Sequence, residues 1–153
     1  MILLCAALLG LVAGLRSMLA PAVVSWAIRL GLFSVAGTPL AFMGYKYTAL
    51  ILTVFAIGEL IADKLPTTPS RKQPVPFGAR IVSGALVGAT LGASKEMLVL
   101  GMLAGVIGAV AGTLGGAAIR GKLAALFGRD LPAALTEDCA AILIAVLTVT
   151  RVK

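Results

Sequence analysis

Long apolar runs separated by short polar segments form the main pattern of this chain. The runs are continuous and do not alternate apolar with polar residues, which favours helices over the strands of a barrel. A transmembrane helix needs roughly 20 mainly apolar residues. The pattern therefore predicts an all-α fold, a polytopic helical membrane bundle that forms a single integral membrane domain over residues 1–153. We expect about five spans, near residues 2–20, 47–64, 77–94, 96–119 and 132–150.

The first apolar run is interrupted near Gly14–Pro21, where a glycine, Arg16 and a proline follow closely on one another. Proline removes a backbone hydrogen bond and clashes with the preceding turn, so we expect a kinked or broken helix. Two arrangements of residues 2–33 remain open. We favour one kinked helix followed by an interfacial segment that carries Trp26 and Arg29. The alternative is two half-helices with the chain re-entering the bundle.

Basic residues between the runs predict the orientation of the chain. Residues 65–76 contain four prolines and predict an extended basic loop, and residues 121–131 predict a second basic loop. With five spans, the positive-inside rule places the N-terminus and both loops in the cytoplasm and the C-terminus outside, with Arg16 nearer the outer side.

Composition supports a membrane protein and argues against several other classes. The chain is 60% hydrophobic and 12% charged, with a mean hydropathy of +1.09, whereas soluble domains are about 45–50% apolar. We attribute the net charge of +7 to topology and to anionic lipid headgroups, and expect no nucleic-acid partner. The chain has no histidine, the commonest general base and metal ligand. We therefore expect no enzyme, no metal site and no cofactor.

Glycines recur at short helical intervals on the third and fourth predicted spans. Residues four apart share a helix face, so such rows let another backbone approach closely. Packing of these two helices against each other is the simpler interpretation, and a homodimer seam is the alternative. The helix-packing glycines are Gly84, Gly88, Gly92, Gly101, Gly105, Gly108, Gly112 and Gly116.

Ionisable residues near the ends of the apolar runs are the candidate functional residues. A charge facing hydrocarbon costs at least about 2.5–3.5 kcal/mol, so such residues usually face a partner, a cavity or water. Helix directions place four carboxylates and two arginines at a similar depth, while Arg16 stands apart beside Pro21. The candidate ion- or solute-binding residues are Arg16, Glu59, Asp63, Arg80, Arg120, Glu137 and Asp138.

Three interpretations of these charges compete. Arginines and carboxylates can form a salt-bridge lock that holds the bundle together. Carboxylates in excess of their partners can bind a proton or a hard cation. A headgroup or an anionic solute can bind Arg80 and Arg120 together with Arg71 and Lys72.

Several short strings also resemble a known family over nearly the whole chain. The most specific is the stretch from Gly58-Glu59 to Pro69-Ser70-Arg71. The others are Gly14-Leu15-Arg16-Ser17 with Ala20-Pro21, Arg80 with Ser83-Gly84-Ala85, and Glu137-Asp138. They resemble the DUF4126 family, a group of small bacterial integral membrane proteins. The resemblance implies a multi-pass helical protein in a bacterial inner membrane, and it implies no activity or substrate.

Two functional hypotheses follow from the sequence. The leading one is a small inner-membrane transporter or channel that works as a homodimer in membrane lipid and uses the carboxylate and arginine cluster. The sequence indicates no particular solute. The alternative is a non-transporting scaffold that binds a partner or lipid and in which the cluster is a structural lock.

Overall fold

The regular structure of the chain is helical. We describe a computed structural model over residues 1–65 and 73–152, within which no strand occurs. A short 3-10 turn at Ala41–Gly44 precedes the third helix. The α-helices in chain order are α1 (Ile2–Leu15), α2 (Leu19–Arg29), α3 (Lys46–Ala62), α4 (Pro74–Ala93), α5 (Leu98–Phe127) and α6 (Asp130–Val149).

The long helices support a membrane protein. Among the described residues, α4, α5 and α6 are long and apolar enough to cross a bilayer, whereas α1 and α2 are apolar but shorter. Helix α3 has 17 residues, the lower end of the usual range of about 17–25 for a spanning helix. The all-α membrane bundle is therefore supported, and the count of five spans stays a prediction.

The first apolar run is broken into two helices. Helix α1 ends at Leu15, Arg16 is extended with φ −140° and ψ 107°, and α2 begins at Leu19. Pro21 lies in the first turn of α2, where its missing N–H breaks no helical hydrogen bond. The predicted break near Gly14–Pro21 is confirmed.

Helix α2 turns back into the bundle. Met18 at its start binds Glu59 of α3, and Trp26 near its end donates from Nε1 to Thr53 Oγ1 at 2.9 Å, so α2 runs antiparallel to α3. Buried side chains of α2 join the same apolar core as those of α1, α4 and α6. The favoured arrangement, one kinked helix with an interfacial segment, is therefore wrong, and the re-entering alternative is correct.

The return of the chain through α2 changes which ends of the chain lie together. Met1, Lys95 and Arg151 line one cavity, so the N-terminus lies beside the α4–α5 turn and the end of α6. Helices α1, α3 and α5 end at the opposite side of the bundle, where α2, α4 and α6 begin. Met1 thus lies at the opposite end of the bundle from Leu65 and Gly128. The predicted grouping of the N-terminus with residues 65–76 and 121–131 assumed a single crossing before residue 33, and the side of the membrane on which each lies stays a prediction.

Helices extend into both of the ranges predicted as basic loops. Pro74 is the first residue of α4, a position that proline favours, and residues 66–72 lie outside the described residues. Helix α5 continues to Phe127, and Gly128 ends it with φ 66°. Alanine and leucine in residues 121–127 favour helix, so the connection to α6 is reduced to Gly128 and Arg129.

The glycine rows pack helices inside one chain. A Cβ on Gly88 would overlap the carbonyl oxygen of Gly101 in α5, and a Cβ on Gly105 would overlap that of Gly84 in α4. Gly108 and Gly112 lie equally close to the backbone of α1. Helix α5 thus lies between α4 and α1, antiparallel to the first and parallel to the second. Gly92 packs against Met97 in the same way, and Gly116 is buried.

Candidate functional site

Arg16 occupies the break between α1 and α2 and is fully buried. Its Nε donates to Asp138 Oδ1 at 2.7 Å, and its Nη1 donates to Asp63 Oδ2. Nη2 lies 2.5 Å from Asp138 Oδ1, though not in hydrogen-bond geometry. Through these two ion pairs, Arg16 connects the break to Asp138 of α6 and to Asp63, which directly follows α3. The prediction that Arg16 stands apart is wrong, because the chain turns back at this residue.

Glu59 caps the start of α2 from a different helix. Its Oε1 accepts hydrogen bonds from the Ser17 N–H at 2.7 Å and from the Ser17 hydroxyl at 2.8 Å, and its Oε2 accepts from the Met18 N–H at 2.8 Å. Helix α2 has no side-chain cap at its own N-cap residue, Met18. A carboxylate here satisfies free N–H groups and lies at the positive end of the helix dipole.

Arg80 closes the other side of the break. It is 4% exposed, and its Nη1 donates to the carbonyl oxygens of Gly14 at 2.7 Å and Leu15 at 2.5 Å. Thr113 of α5 also donates to Gly14 O, at 3.2 Å. A cation at a helix C-terminus satisfies free carbonyls and suits the negative end of the dipole. Side chains from other helices therefore bind backbone groups at both helix ends of the break.

Arg120 and Lys64 form further ion pairs with carboxylates near the break. Arg120 holds Asp130 with two bonds, Nε to Oδ1 at 3.0 Å and Nη2 to Oδ2 at 2.6 Å. Its Nη1 lies 3.5 Å from Glu137 Oε2 and 3.9 Å from Asp63 Oδ2. Lys64 Nζ donates to Asp138 Oδ2 at 2.8 Å.

These groups form one ion-pair network at the end of the bundle where α1, α3 and α5 end. It contains every candidate ion- or solute-binding residue that the sequence indicates. Arg71 and Lys72, which the sequence adds for an anion site, lie outside the described residues. The ion-pair network consists of Arg16, Glu59, Asp63, Lys64, Arg80, Arg120, Asp130, Glu137 and Asp138.

Sequence reasoning missed three contributors. Lys64 directly follows Asp63, and Asp130 follows Arg120 across the turn at Gly128, so helix directions could have placed both in the network. Ser17 offered a weaker signal, because its contacts with Glu59 depend on α2 turning back.

The carboxylates of the network do not gather around a single point. Within residues 1–65 and 73–152, no group of three or more histidine, cysteine, aspartate or glutamate residues could hold a metal ion. Arginine groups lie between the carboxylates instead, as Arg16 does between Asp63 and Asp138. Hard cations need several oxygen ligands around one point, and between Asp63 and Asp138 the Arg16 guanidinium occupies that position.

A cavity of about 280 Å³ adjoins the network between α1, α5 and α6. Most of its lining is apolar and includes Leu11, Leu15, Gly115, Ile119, Ala140 and Ile144. Arg120 and Glu137 also line it, so one part of the cavity borders the ion-pair network.

A family comparison covers the helices that carry this site. The family model described as "Domain of unknown function (DUF4126)" matches residues 3–151. The chain belongs to the DUF4126 family. The resemblance inferred from the sequence is therefore confirmed. No curated protein and no solved structure matches this DUF4126 member.

Proposed function

We propose that this DUF4126 member is a non-transporting membrane scaffold that binds lipid or a partner, and that the ion-pair network is a structural lock on the broken hairpin α1–α2. The observation that carries the proposal is the complete burial of Arg16 between Asp63 and Asp138. Where a transport site would leave ligand groups for a solute, these groups are bound by one another.

The physical need for a lock follows from the break itself. In an apolar bundle each unsatisfied backbone group costs several kcal/mol, so an open helix end must find partners. Glu59 supplies acceptors at the start of α2, and Arg80 supplies donors at the end of α1. Buried charges in turn need pairing and further hydrogen bonds. The network meets both needs with side chains from α3, α4 and α6.

Transport is the second candidate, and the helix break is the observation that favours it. In secondary transporters, discontinuous helices form the solute site, and their ends meet the charged groups of the solute. Glu59 and Arg80 occupy the positions that such groups would take. In this case the pairs seen here would belong to a closed state that a solute opens, and a homodimer would supply a wider path.

One experiment separates the two candidates. The wild type, Glu59→Gln and Asp138→Asn are reconstituted in liposomes for proton, Na⁺ and phosphate flux, and their unfolding temperatures are measured in detergent. The lock predicts no flux above empty liposomes and a lower unfolding temperature for both variants. Lys122→Gln, which changes an exposed residue, should match the wild type.

The opposite result would support transport. Flux by the wild type that Asp138→Asn abolishes, with the unfolding temperature unchanged, would reject the lock. In that case the carboxylates would be coupling groups rather than structural partners.

A further inference from the structure

We propose that the cavity between α1, α5 and α6 binds one acyl chain of a zwitterionic phospholipid, with the headgroup beside Arg120 and Asp130. This inference deepens the proposed function, on which it rests, because it names the lipid that the scaffold would hold. The ligand class follows from the lining, the size and the charges of the cavity.

The lining and position of the cavity indicate a hydrocarbon chain. Two of its walls belong to α5 and α6, which are long and apolar enough to cross a bilayer, so lipid tails could reach the cavity. Leu11, Ile119 and Ile144 present apolar side chains to it. Gly115 borders the open space, since a Cβ at this position would meet nothing within 4 Å.

The size of the cavity favours an occupant narrower than a helix of a second copy. A helix with its side chains is about 10–12 Å across, whereas the cavity holds about 280 Å³. Pockets that bury a drug-sized ligand have volumes of about 300–1,000 Å³. A single acyl chain, which is one carbon wide, fits the available space, while a whole phospholipid does not. The headgroup must therefore lie outside the apolar part.

The charges at the network side of the cavity select the headgroup. Two nitrogens of Arg120 bind Asp130, and its Nη1 makes longer contacts with Glu137 and Asp63. An anionic headgroup would meet these carboxylates as well as the arginine. A zwitterionic headgroup can place its phosphate near Nη1 and its ammonium near Asp130, whose side chain is 60% exposed. The phosphate then faces a positive group, and the ammonium faces a negative one.

Lipid retention in native mass spectrometry tests the proposal. The protein is extracted from vesicles of equimolar phosphatidylethanolamine and phosphatidylglycerol. The wild type should retain one phosphatidylethanolamine, and Gly115→Leu should lose it because leucine fills the cavity. Gly58→Leu is the matched control, since Gly58 is also a helical glycine with nothing within 4 Å, and it should retain the lipid. Ala140→Phe obstructs the α6 wall and should repeat the loss if Gly115→Leu folds poorly.

Several results would overturn the proposal. These are a wild type without retained phospholipid, preferential retention of phosphatidylglycerol, or equal loss in Gly58→Leu. A wild-type dimer that Gly115→Leu separates would assign the cavity to a second copy. Flux by a wild type that retains the lipid would reject the lock but keep the lipid site, so the two failures are distinguishable.

Discussion

Arg16 depends on a geometry that lysine or glutamine cannot reproduce. Its planar guanidinium has donors that point in several fixed directions, and here they join Asp138 and Asp63 across two helices. The arginine is also fully buried, so its removal would take away the group that joins Asp63 to Asp138 inside the bundle. Removing one member of a buried ion pair costs about 3–5 kcal/mol.

We therefore predict that Arg16→Gln strongly destabilises the protein. Thermal unfolding in detergent, followed by helical circular dichroism, should show a loss of about 3–5 kcal/mol relative to the wild type. The control is Arg29→Gln. Arg29 is exposed and lies 6.0 Å from the Trp26 ring centre, so its loss should cost at most about 1 kcal/mol. Equal stability of the two variants would contradict a structural role for Arg16.

Glu59 should control local opening at the start of α2. Glu59→Ala removes the acceptors of the Ser17 and Met18 N–H groups, and lost N-caps cost about 0.5–2 kcal/mol. Hydrogen–deuterium exchange should accelerate at these amides and leave the middle of α5 unchanged. Unchanged exchange at Ser17 and Met18 would show that the cap does not protect the break.

At the scale of the helices, the glycines of α5 permit close packing on two sides. Gly105 lies against both Gly84 of α4 and Gly10 of α1, so α5 packs closely on two helices at this residue. Glycine in a helix costs about 0.5–1 kcal/mol relative to alanine. That cost is offset because small residues let the backbones approach, and close packing drives helix association in membranes.

Two alanine substitutions separate packing from helix propensity. Gly88→Ala should destabilise the protein by about 1–3 kcal/mol, because its Cβ would overlap the Gly101 carbonyl and force α4 and α5 apart. Gly58→Ala meets nothing within 4 Å and should be neutral or stabilising by up to about 1 kcal/mol. Thermal unfolding measures both. A stabilised Gly88→Ala variant would contradict the close approach of the two helices.

The spacing of residues along the sequence predicted where the carboxylates of the site meet. The position of Arg16 depends on tertiary structure. Glu59 and Asp63 are four residues apart, so one face of a helix carries both, and helix direction predicted their approach to Glu137 and Asp138. Arg16 could not be placed in this way, because its position depends on α2 turning back. That turn is stabilised by contacts of Ser17 with Glu59 and of Trp26 with Thr53, between residues far apart in the sequence.

At the scale of the whole molecule, the re-entering hairpin carries the chain back toward the N-terminal side of the bundle before α3 begins, so we predict an even number of passes. The N-terminus lies beside Lys95 and Arg151, whereas the network lies at the opposite end. We therefore predict that both termini lie on one side of the membrane and the segment between α3 and α4 on the other. The basic residues near that segment favour the cytoplasm for it.

Reporter fusions test this topology. A fluorescent protein and a periplasmic alkaline phosphatase, fused in turn to each terminus, should report the same compartment for both termini. The expected compartment is the periplasm, where alkaline phosphatase is active. Termini in opposite compartments would contradict the re-entering hairpin, and two cytoplasmic termini would contradict only the charge argument.

The central claim is that the network closes the break between α1 and α2 to water, and thiol labelling tests it most directly. Ser83 is 4% exposed, and its hydroxyl donates to the Ser17 carbonyl at the break. In a background with Cys5→Ala and Cys139→Ala, Ser83→Cys should resist a water-soluble maleimide in liposomes. Exposed Lys122→Cys should react rapidly with the reagent on its own side of the membrane. Labelling of Ser83→Cys at a rate close to that of Lys122→Cys would show that water reaches the break and would contradict the lock.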